Sequence, residues 1–484
     1  MPRFIPRPSN GVSFLVAISV AGTVVLAASG CRALAEETAS SAEAPAKPTR
    51  PAILPNRWQE DWSALADPAL RTEPWDSLKY IPLFVTDPKS YVSFGATLRE
   101  RFESNNAPNF GVGKVAGDAY LIQRLQISAD IHLNAHWQIF AQIEDDRAFD
   151  KAMISPADQD PLDLRFAFVA YTNTFSDGTF NARVGRQEFD FDLQRFISSR
   201  DGPNVRQAFD AAWADWVTGP WKFIGFVSRP VQYLDYGTFN DYSNGSFRFD
   251  MLRVERQISS TIDLSAYYAL YERDNAQYLD AVGIEHRNVF DVHFAGRLQN
   301  VDWDLEAMGQ TGEVGAKEIR AWALGGRTGY TFSNLAWSPR IGLQADAASG
   351  DNHPGDNKIE SFNPLFPNGY YFTLGSYTGY TNLVHLKPSV TVNPVAGLSV
   401  MAAVGLQWRQ TTADAIYTQT SALPGTAGIG GLWTGAYEQL RVDYRFNANL
   451  TGAIEAVHYQ IGETVRQAGG HDSDYLGIEL KYSL

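Results

Sequence analysis

From Tyr91 to Leu484 the chain is built from segments of about ten residues in which apolar and polar side chains alternate. The last segment shows this best, because Leu476, Ile478 and Leu480 fall on one face while Glu479 and Lys481 fall on the other. Side chains in a strand point alternately to the two faces of a sheet, so this period predicts strands with one apolar face. The same alternation runs through 124–133, 163–171 and 439–446. In 163–171 it predicts Leu164, Phe166, Phe168 and Ala170 on the apolar face, opposite Asp163 and Arg165.

The connections between these segments alternate between short and long. Short ones include 134–136, 176–178, 259–260, 394–396 and 447–449, and long ones lie near 105–118, 148–161, 191–208, 231–244, 274–284, 348–380, 411–432 and 462–472. Short turns at one end and long loops at the other are typical of outer-membrane barrels. The sequence therefore predicts an all-β fold, a closed transmembrane antiparallel barrel of about 18 strands. A secreted β-propeller or sandwich array is the alternative, but we find no blade-length repeat.

Aromatic residues gather near the predicted strand ends, as the interfacial girdles of such a barrel require. The residues that we assign to these girdles are Trp137, Trp213, Trp216, Trp221, Trp337, Tyr370, Tyr371, Phe372 and Trp433.

Composition excludes several classes of protein. Aromatics make up 13% of the 484 residues and there is one Cys, which excludes a disordered chain and a disulfide scaffold. The formal net charge is −14 and no basic run occurs, so nucleic acid is not expected as a partner. Mean hydropathy is −0.24, which argues against a helical membrane protein only.

Residues 1–35 read as a signal peptide, with Arg3 and Arg7 before an apolar stretch at 12–28. Cleavage after Ala33-Leu34-Ala35 is favoured over a lipoprotein box that ends at Cys31, and an uncleaved anchor helix is the third alternative. Cleavage removes three Arg and no acid, which changes the net charge from −14 to −17. We expect residues 36–88 to form a periplasmic N-terminal segment with no evident chemistry and 89–484 to form the barrel, in the outer membrane of a Gram-negative cell.

Two stretches resemble the alginate export family of outer-membrane barrels. The first runs from Gly185-Arg186-Gln187-Glu188 through Arg200-Asp201-Gly202-Pro203-Asn204-Val205-Arg206 to Phe209-Asp210. The second joins Ala348-Ser349-Gly350-Asp351 to Phe362-Asn363-Pro364-Leu365-Phe366-Pro367, and Gln142–Phe149 matches more weakly. The resemblance implies an 18-stranded barrel with an electropositive pore for an anionic polysaccharide or another solute.

The chain departs from the family's alginate exporter at one place. There, a long periplasmic loop between strands 16 and 17 plugs the pore, whereas here the predicted connection is only Asn447-Ala448-Asn449. The choice between alginate and another anionic solute therefore stays open.

An anion pore needs fixed positive charge in its lumen, and Arg suits this role because it is always charged and binds carboxylates bidentately. Strand parity places eight Arg in the lumen, and the first family motif with its loop adds four more. The alternative for each is an ion pair with an acid on the same face, such as Asp130, Glu144, Asp163, Asp443 or Glu455. The candidate pore-lining residues are Arg99, Arg101, Arg124, Arg165, Arg183, Arg186, Arg195, Arg200, Arg206, Arg409, Arg441 and Arg445.

We expect no catalytic group, metal or cofactor, since nucleophile-elbow, P-loop and zinc spacings are missing. The oxygen-rich segment 346–357 (Asp346, Asp351, Asn352, Asp356, Asn357) could hold calcium, but solvated turn residues are the favoured interpretation. The leading hypothesis is a passive porin for an anionic polysaccharide such as alginate or for other small solutes. Its expected partners are outer-membrane lipid, lipopolysaccharide and periplasmic export components. The alternatives are a barrel enzyme acting on lipid or polysaccharide, and a structural or adhesion barrel.

Overall fold

The structure is a computed structural model that describes residues 49–419 and 421–484. The predicted signal peptide and lipoprotein box lie outside the described residues. Within these residues no helix has both the length and the apolar character needed to cross a membrane.

Eighteen long strands form one sheet, and three further pairs of residues (Ile81–Pro82, Tyr242–Ser243 and Lys358–Ile359) form short strands beside it. Short helices occur at Arg57–Gln59, Ser63–Ala66, Pro68–Leu70, α1 Asp76–Lys79, Pro108–Gly111 and α2 Glu463–Gln467. The long strands are β1 Tyr91–Asn105, β2 Asp118–His132, β3 Trp137–Phe149, β4 Asp160–Thr174, β5 Thr179–Gln187, β6 Phe209–Thr218, β7 Trp221–Gln232, β8 Phe247–Ser259, β9 Ile262–Gln277, β10 Val282–Leu298, β11 Val301–Val314, β12 Lys317–Thr331, β13 Arg340–Ala348, β14 Leu383–Val392, β15 Leu398–Trp408, β16 Trp433–Arg445, β17 Leu450–Ile461 and β18 Ser473–Ser483.

The sheet closes on itself because β1 pairs antiparallel with both β2 and β18. Leu98 lies opposite Leu125 on one side and opposite Tyr482 on the other. Every sheet edge is thereby removed, which a hydrocarbon environment demands. The predicted fold class, an 18-strand antiparallel barrel, is confirmed. The connection predicted at 274–284 shortens to 278–281, because β9 and β10 stay paired as far as Gln277 and Val282.

Along β1 the outer wall is mostly apolar, with Glu100 as the charged exception, and the inner wall is mostly polar. Phe94 is 41% exposed on the outside, whereas Arg99 is 4% exposed on the inside. This inverts the arrangement of a soluble sheet and identifies the outer surface as lipid-facing. The alternation therefore places Arg99, Arg101 and Glu103 of this strand in the lumen.

Two long connections, 188–208 and 349–382, fold into the barrel and bury the lumen face of several strands. Around β6 to β9 that face is aromatic rather than charged, with Phe209, Trp213, Phe226 and Phe249 packed against the loops. The girdle assignment was therefore wrong for Trp213, Tyr370, Tyr371 and Phe372, since these side chains lie inside the barrel and are largely buried. Trp137 and Trp337 are exposed on the outside as expected.

Strand β4 also departs from the alternation that its sequence predicts. Its register with β3 shifts between Gln142 and Ile143, so one extra residue is accommodated near Arg165. Phe166 and Phe168 consequently turn inward and are buried, while Val169 faces lipid. A β-bulge reverses the face of every later residue, which period-two reasoning misses.

Residues 49–90, the N-terminal segment, pack against the end of the barrel that carries the short turns. Arg57 donates to the carbonyl of Leu484, and the carbonyl of Trp58 accepts from Nε2 of Gln138 at 2.8 Å. The Trp58 ring lies 4.1 Å from the guanidinium of Arg183 on the lumen wall. Part of the segment thus fills one side of the mouth at the short-turn end of the barrel.

Candidate pore constriction

Two loops meet inside the barrel and carry the two family motifs. The first, loop A, is 188–208, and the second, loop B, is 349–382. The amide of Ser198 donates to the carbonyl of Phe366, and the amide of Phe366 donates to the carbonyl of Phe196, both at 2.9 Å. The two stretches that resemble the alginate export family are therefore in direct contact with each other inside the barrel.

Gly202 in loop A is required by the close approach of loop B. A Cβ atom at this position would lie 2.2 Å from the ring of Tyr370. The Tyr370 hydroxyl donates to the carbonyl of Gly202 at 3.3 Å and to Glu103 of β1 at 3.2 Å. The small residue lets the two loops and the wall share one contact point.

On one side of the barrel, three predicted lumen Arg clamp the backbone of loop A. Arg99 donates to the carbonyls of Asp201, Gly202 and Pro203 at 3.1–3.4 Å and pairs with Glu479 at 2.8 Å. Arg124 donates to the carbonyls of Pro203 and Asn204, and to the Asp201 carboxylate, at 2.6–2.7 Å. Arg165 donates to the carbonyl of Arg206 and pairs with Glu144 at 3.2 Å. These guanidiniums hold the constriction in place.

On the opposite side, ion pairs tie loop A to β8, β10 and β11. Arg195 is fully buried and its Nη1 lies 2.7 Å from both Asp304 and Glu306. Asp192 accepts a bidentate pair from Arg253 at 2.6 and 2.8 Å and contacts His293 at 3.0 Å. Burial favours the neutral form of Asp192, but His293 and Arg253 lower its pKa to about 2.

Three further candidates are paired with acids. Arg101 contacts Glu103 and Glu455 at 2.7 and 2.5 Å. Arg441 contacts Asp443 at 2.8 Å and the same Glu455 at 2.5 Å. Arg206 contacts Glu188 at 2.5 Å, and burial raises the pKa of Glu188 to about 7 although Arg206 opposes this. The interpretation as ion pairs, left open by the sequence, describes these contacts.

Two candidates lie outside the predicted lumen face. Arg186 is on the same face of β5 as the lipid-exposed Val184, because alternation puts it opposite Arg183, and it pairs with Asp210 at 2.9 Å. Arg409 follows the end of β15 and donates to loop carbonyls, including that of Thr426 at 2.6 Å. These two placements correct the prediction.

The remaining three candidates have no carboxylate within 4.0 Å among the described residues. Arg183 is sandwiched between Trp58 and Trp213, with 4.1 and 4.9 Å to the ring centroids. Arg200 is half-buried over the ring of Phe366. Arg445 is exposed at the periplasmic end of β16.

Sequence reasoning missed a row of polar residues at one height across β12, β13 and β14. Arg327 lies opposite Gln344, and Gln344 lies opposite Lys387. Arg327 donates to the carbonyl of Tyr371 at 3.0 Å and Lys387 to that of Phe372 at 2.7 Å. Within the described chain, neither cation has a carboxylate within 4.0 Å. Parity places both inward, but only the strand register shows that they share a row.

A cavity of about 840 Å³ opens between the tip of loop A, at Asp201, and the short-turn ends of β14 to β18. Asp201 at the tip of loop A and the side chains of Arg441, Arg445, Glu479 and Lys481 line it. Lys481, like Arg445, has no carboxylate within 4.0 Å in the part of the chain described. This cavity is the candidate periplasmic opening of the pore.

The oxygen-rich segment at 346–357 does not converge on a cation site. Asp346 is instead held by His385 at 3.1 Å and by the Tyr371 hydroxyl at 2.7 Å. Within the described residues, three carboxylates approach one another only at Asp160, Asp163 and Asp241. Asp163, in β4, accepts the amides of Asn240 and Asp241 there, at 2.6 and 3.1 Å.

A closed 18-strand barrel with a lipid-facing wall and loops folded into its lumen defines an outer-membrane protein of the channel class. The family model described as alginate export matches residues 90–479, and the chain belongs to this family. No curated relative matches it by sequence.

Solved structures share the fold at low identity. Pseudomonas aeruginosa opdK and OccK8 (OprE) each superpose with a TM-score of 0.54 at 11% identity, covering 81% of this chain and 98% of theirs. P. aeruginosa OpdO superposes with a TM-score of 0.55 at 13% identity, covering 81% of this chain and 97% of its own.

Proposed function

We propose that the protein is a passive outer-membrane channel that favours anionic solutes, either an anionic polysaccharide such as alginate or smaller organic anions. The observation that carries the proposal is the row formed by Arg327, Gln344 and Lys387, whose two basic side chains have no carboxylate within 4.0 Å among the described residues. Arg200, Arg445 and Lys481 add positive charge that acids do not neutralise at that distance. Most other lumen Arg either position loop A or pair with acids, so selectivity rests on this smaller set.

The size of the effect follows from Coulomb's law. One charge about 8 Å from a passing ion, at an effective dielectric constant of about 20–40, contributes about 1–2 kcal/mol. Each lumen cation therefore favours entry of an anion by about 5- to 30-fold and disfavours entry of a cation by a similar factor. A net charge of −14 on the whole chain opposes anions at long range, but salt screens distant charges and leaves the lumen charges effective.

The test is the reversal potential of single channels in a planar bilayer under a KCl gradient. The unaltered protein is expected to be anion-selective, and the double variant Arg327→Gln/Lys387→Gln is expected to lose most of that selectivity. Arg320→Gln is the matched control, since Arg320 is exposed and pairs with Glu318 away from the lumen. Cation selectivity of the unaltered protein, or equal reversal potentials in all three proteins, would overturn the proposal.

Current block distinguishes the two classes of solute. Alginate oligomers that interrupt the current in a length-dependent way support a polysaccharide pore. Carriage of current by small organic anions, with no block by the oligomers, supports a channel for small solutes. The proposal involves no catalytic step.

A further inference from the structure

The short helix α1 in the N-terminal segment buries its charged residues and exposes its apolar ones, the reverse of a helix that faces water. Its polar residues Asp76 and Lys79 are both 1% exposed, while Trp75 at its start is 43% exposed and Leu78 is also exposed. Asp76 is satisfied by Arg50 at 2.7 Å, and Lys79 donates to the carbonyl of Phe94 at 2.8 Å. A helix that hides its charges and presents its apolar residues is expected where the surroundings are apolar.

The apolar surface continues past the helix into the turn that leads to β1. Ile81 and Pro82 pair with the start of β1, and the tip that follows presents Phe84 at 61% and Val85 at 96% exposure. We name these residues the apolar patch: Trp75, Leu78, Ile81, Leu83, Phe84 and Val85. Exposed apolar groups of this size mark an interaction surface.

The patch is continuous with the lipid-facing wall of the barrel. Nε1 of Trp75 lies 3.3 Å from the hydroxyl of Tyr482, which is on the outer face of β18 beside Leu480. On the other side, Lys79 reaches the backbone of Phe94, whose ring faces lipid from β1. The same hydrocarbon boundary that covers these two strands therefore reaches the patch.

We propose that the apolar patch inserts into the periplasmic leaflet of the outer membrane and anchors the N-terminal segment to phospholipid. Exposed Trp and Phe beside aliphatic residues are the usual composition of such interfacial elements. The anchor holds the segment on the membrane side while Arg57 and Trp58 of the same segment occupy the mouth. This inference is independent of which solute the channel carries.

The test uses an environment-sensitive fluorophore on Val85→Cys in the full chain carrying Cys31→Ser, so that the label is unique. The protein is reconstituted in phosphatidylcholine vesicles with and without doxyl-labelled lipid, and heat-modifiable gel mobility verifies that the barrel is folded. Ala66→Cys, exposed in the same segment but outside the patch, is the matched control. We expect the label at 85 to emit at shorter wavelength and to be quenched several-fold more by doxyl lipid than the label at 66, with the reverse order for aqueous iodide.

Equal doxyl quenching at the two positions, or iodide quenching at 85 as strong as at 66, would overturn the anchor. Because the vesicles hold no other protein, a patch made for a periplasmic protein gives that same negative result. Phe84→Ser with Leu83→Ser provides a second measurement: protease cleavage of the segment should accelerate several-fold in vesicles while gel mobility of the barrel stays unchanged. Unaltered cleavage would also contradict the proposal.

Discussion

Replacing Arg195 by Met removes the tie between loop A and the wall at β11. The buried guanidinium contacts Asp304 and Glu306, each at 2.7 Å, and donates to the Tyr371 hydroxyl at 2.5 Å. In the variant, His293 still contacts Asp304 at 2.9 Å, but Glu306 is left as a buried charge with no counter-ion. Removing one partner of a buried ion pair costs about 3–5 kcal/mol.

This cost falls on the attachment of the loop, because the barrel itself is held by the hydrogen bonds of eighteen paired strands. The population of detached loop should rise by about 100- to 4000-fold, since 1.4 kcal/mol is a factor of ten. Hydrogen exchange measured by mass spectrometry on the reconstituted protein reports this population, at the amides of Ser198 and Phe366 that join the loops. Exchange there should accelerate by a factor in that range, and conductance should increase.

Arg200→Met is the matched control, because the Arg200 guanidinium has no carboxylate within 4.0 Å among the described residues and makes only a 3.5 Å hydrogen bond to the carbonyl of Leu365 and a contact with the Phe366 ring. It should alter ion selectivity and change loop exchange less than about fivefold. Adding Glu306→Gln to Arg195→Met should restore part of the protection, because the uncompensated charge is then gone. Loop exchange in Arg195→Met within threefold of the unaltered protein would refute the reasoning that Arg195 holds the loop.

Three other changes test the site. Gly202→Val would drive a side chain into the ring of Tyr370 in loop B, so we expect the association of the two loops to weaken by about 1–3 kcal/mol and amide exchange in both loops to be faster. Unchanged exchange would mean that the loops do not share this contact. Trp58→Ala removes the ring stacked on a lumen guanidinium, about 2 kcal/mol of segment docking, and should raise conductance; equal conductance would place the limiting cross-section elsewhere. Burial, aided by the nearby Arg57, lowers the pKa of Lys79 from 10.5 to about 7. The contribution of Lys79 to docking stability is therefore complete above pH 10.5, decreases as the pH falls, and is lost once the pH has fallen through 7. Protease cleavage of the segment should therefore be faster at pH 6 than at pH 9, and Lys79→Met should remove that difference.

The sequence was sufficient for the barrel because the lipid-facing wall has one uniform requirement. Most outward-facing residues in the middle of β1 and β18 are apolar, and this period of two is local information that a single chain displays. The bulge near Arg165 could not be predicted from the sequence, because an extra residue in a strand leaves no mark in composition. It changes the face on which Phe166 and Phe168 lie.

The lumen was less predictable because its neighbours are distant in sequence. Arg101 and Glu455 are separated by 354 positions, and Arg195 and Asp304 by 109, so parity could nominate the Arg but not their partners. The aromatic lumen of β6 to β9 exists because loops cover it, and that coverage is a tertiary event. Unpaired cations such as Lys387 become evident only after the paired ones are identified.

Loop A is fixed to β1, β2 and β4 on one side and to β8, β10 and β11 on the other, which are nearly opposite walls of the cylinder. Loop A therefore connects two distant parts of the barrel wall across the lumen. If lateral pressure in the bilayer flattens the barrel, both ends of loop A must move, and the aperture beside it changes with the shape of the wall. Any such change in the shape of the wall would reach the passage through the side chains that hold loop A.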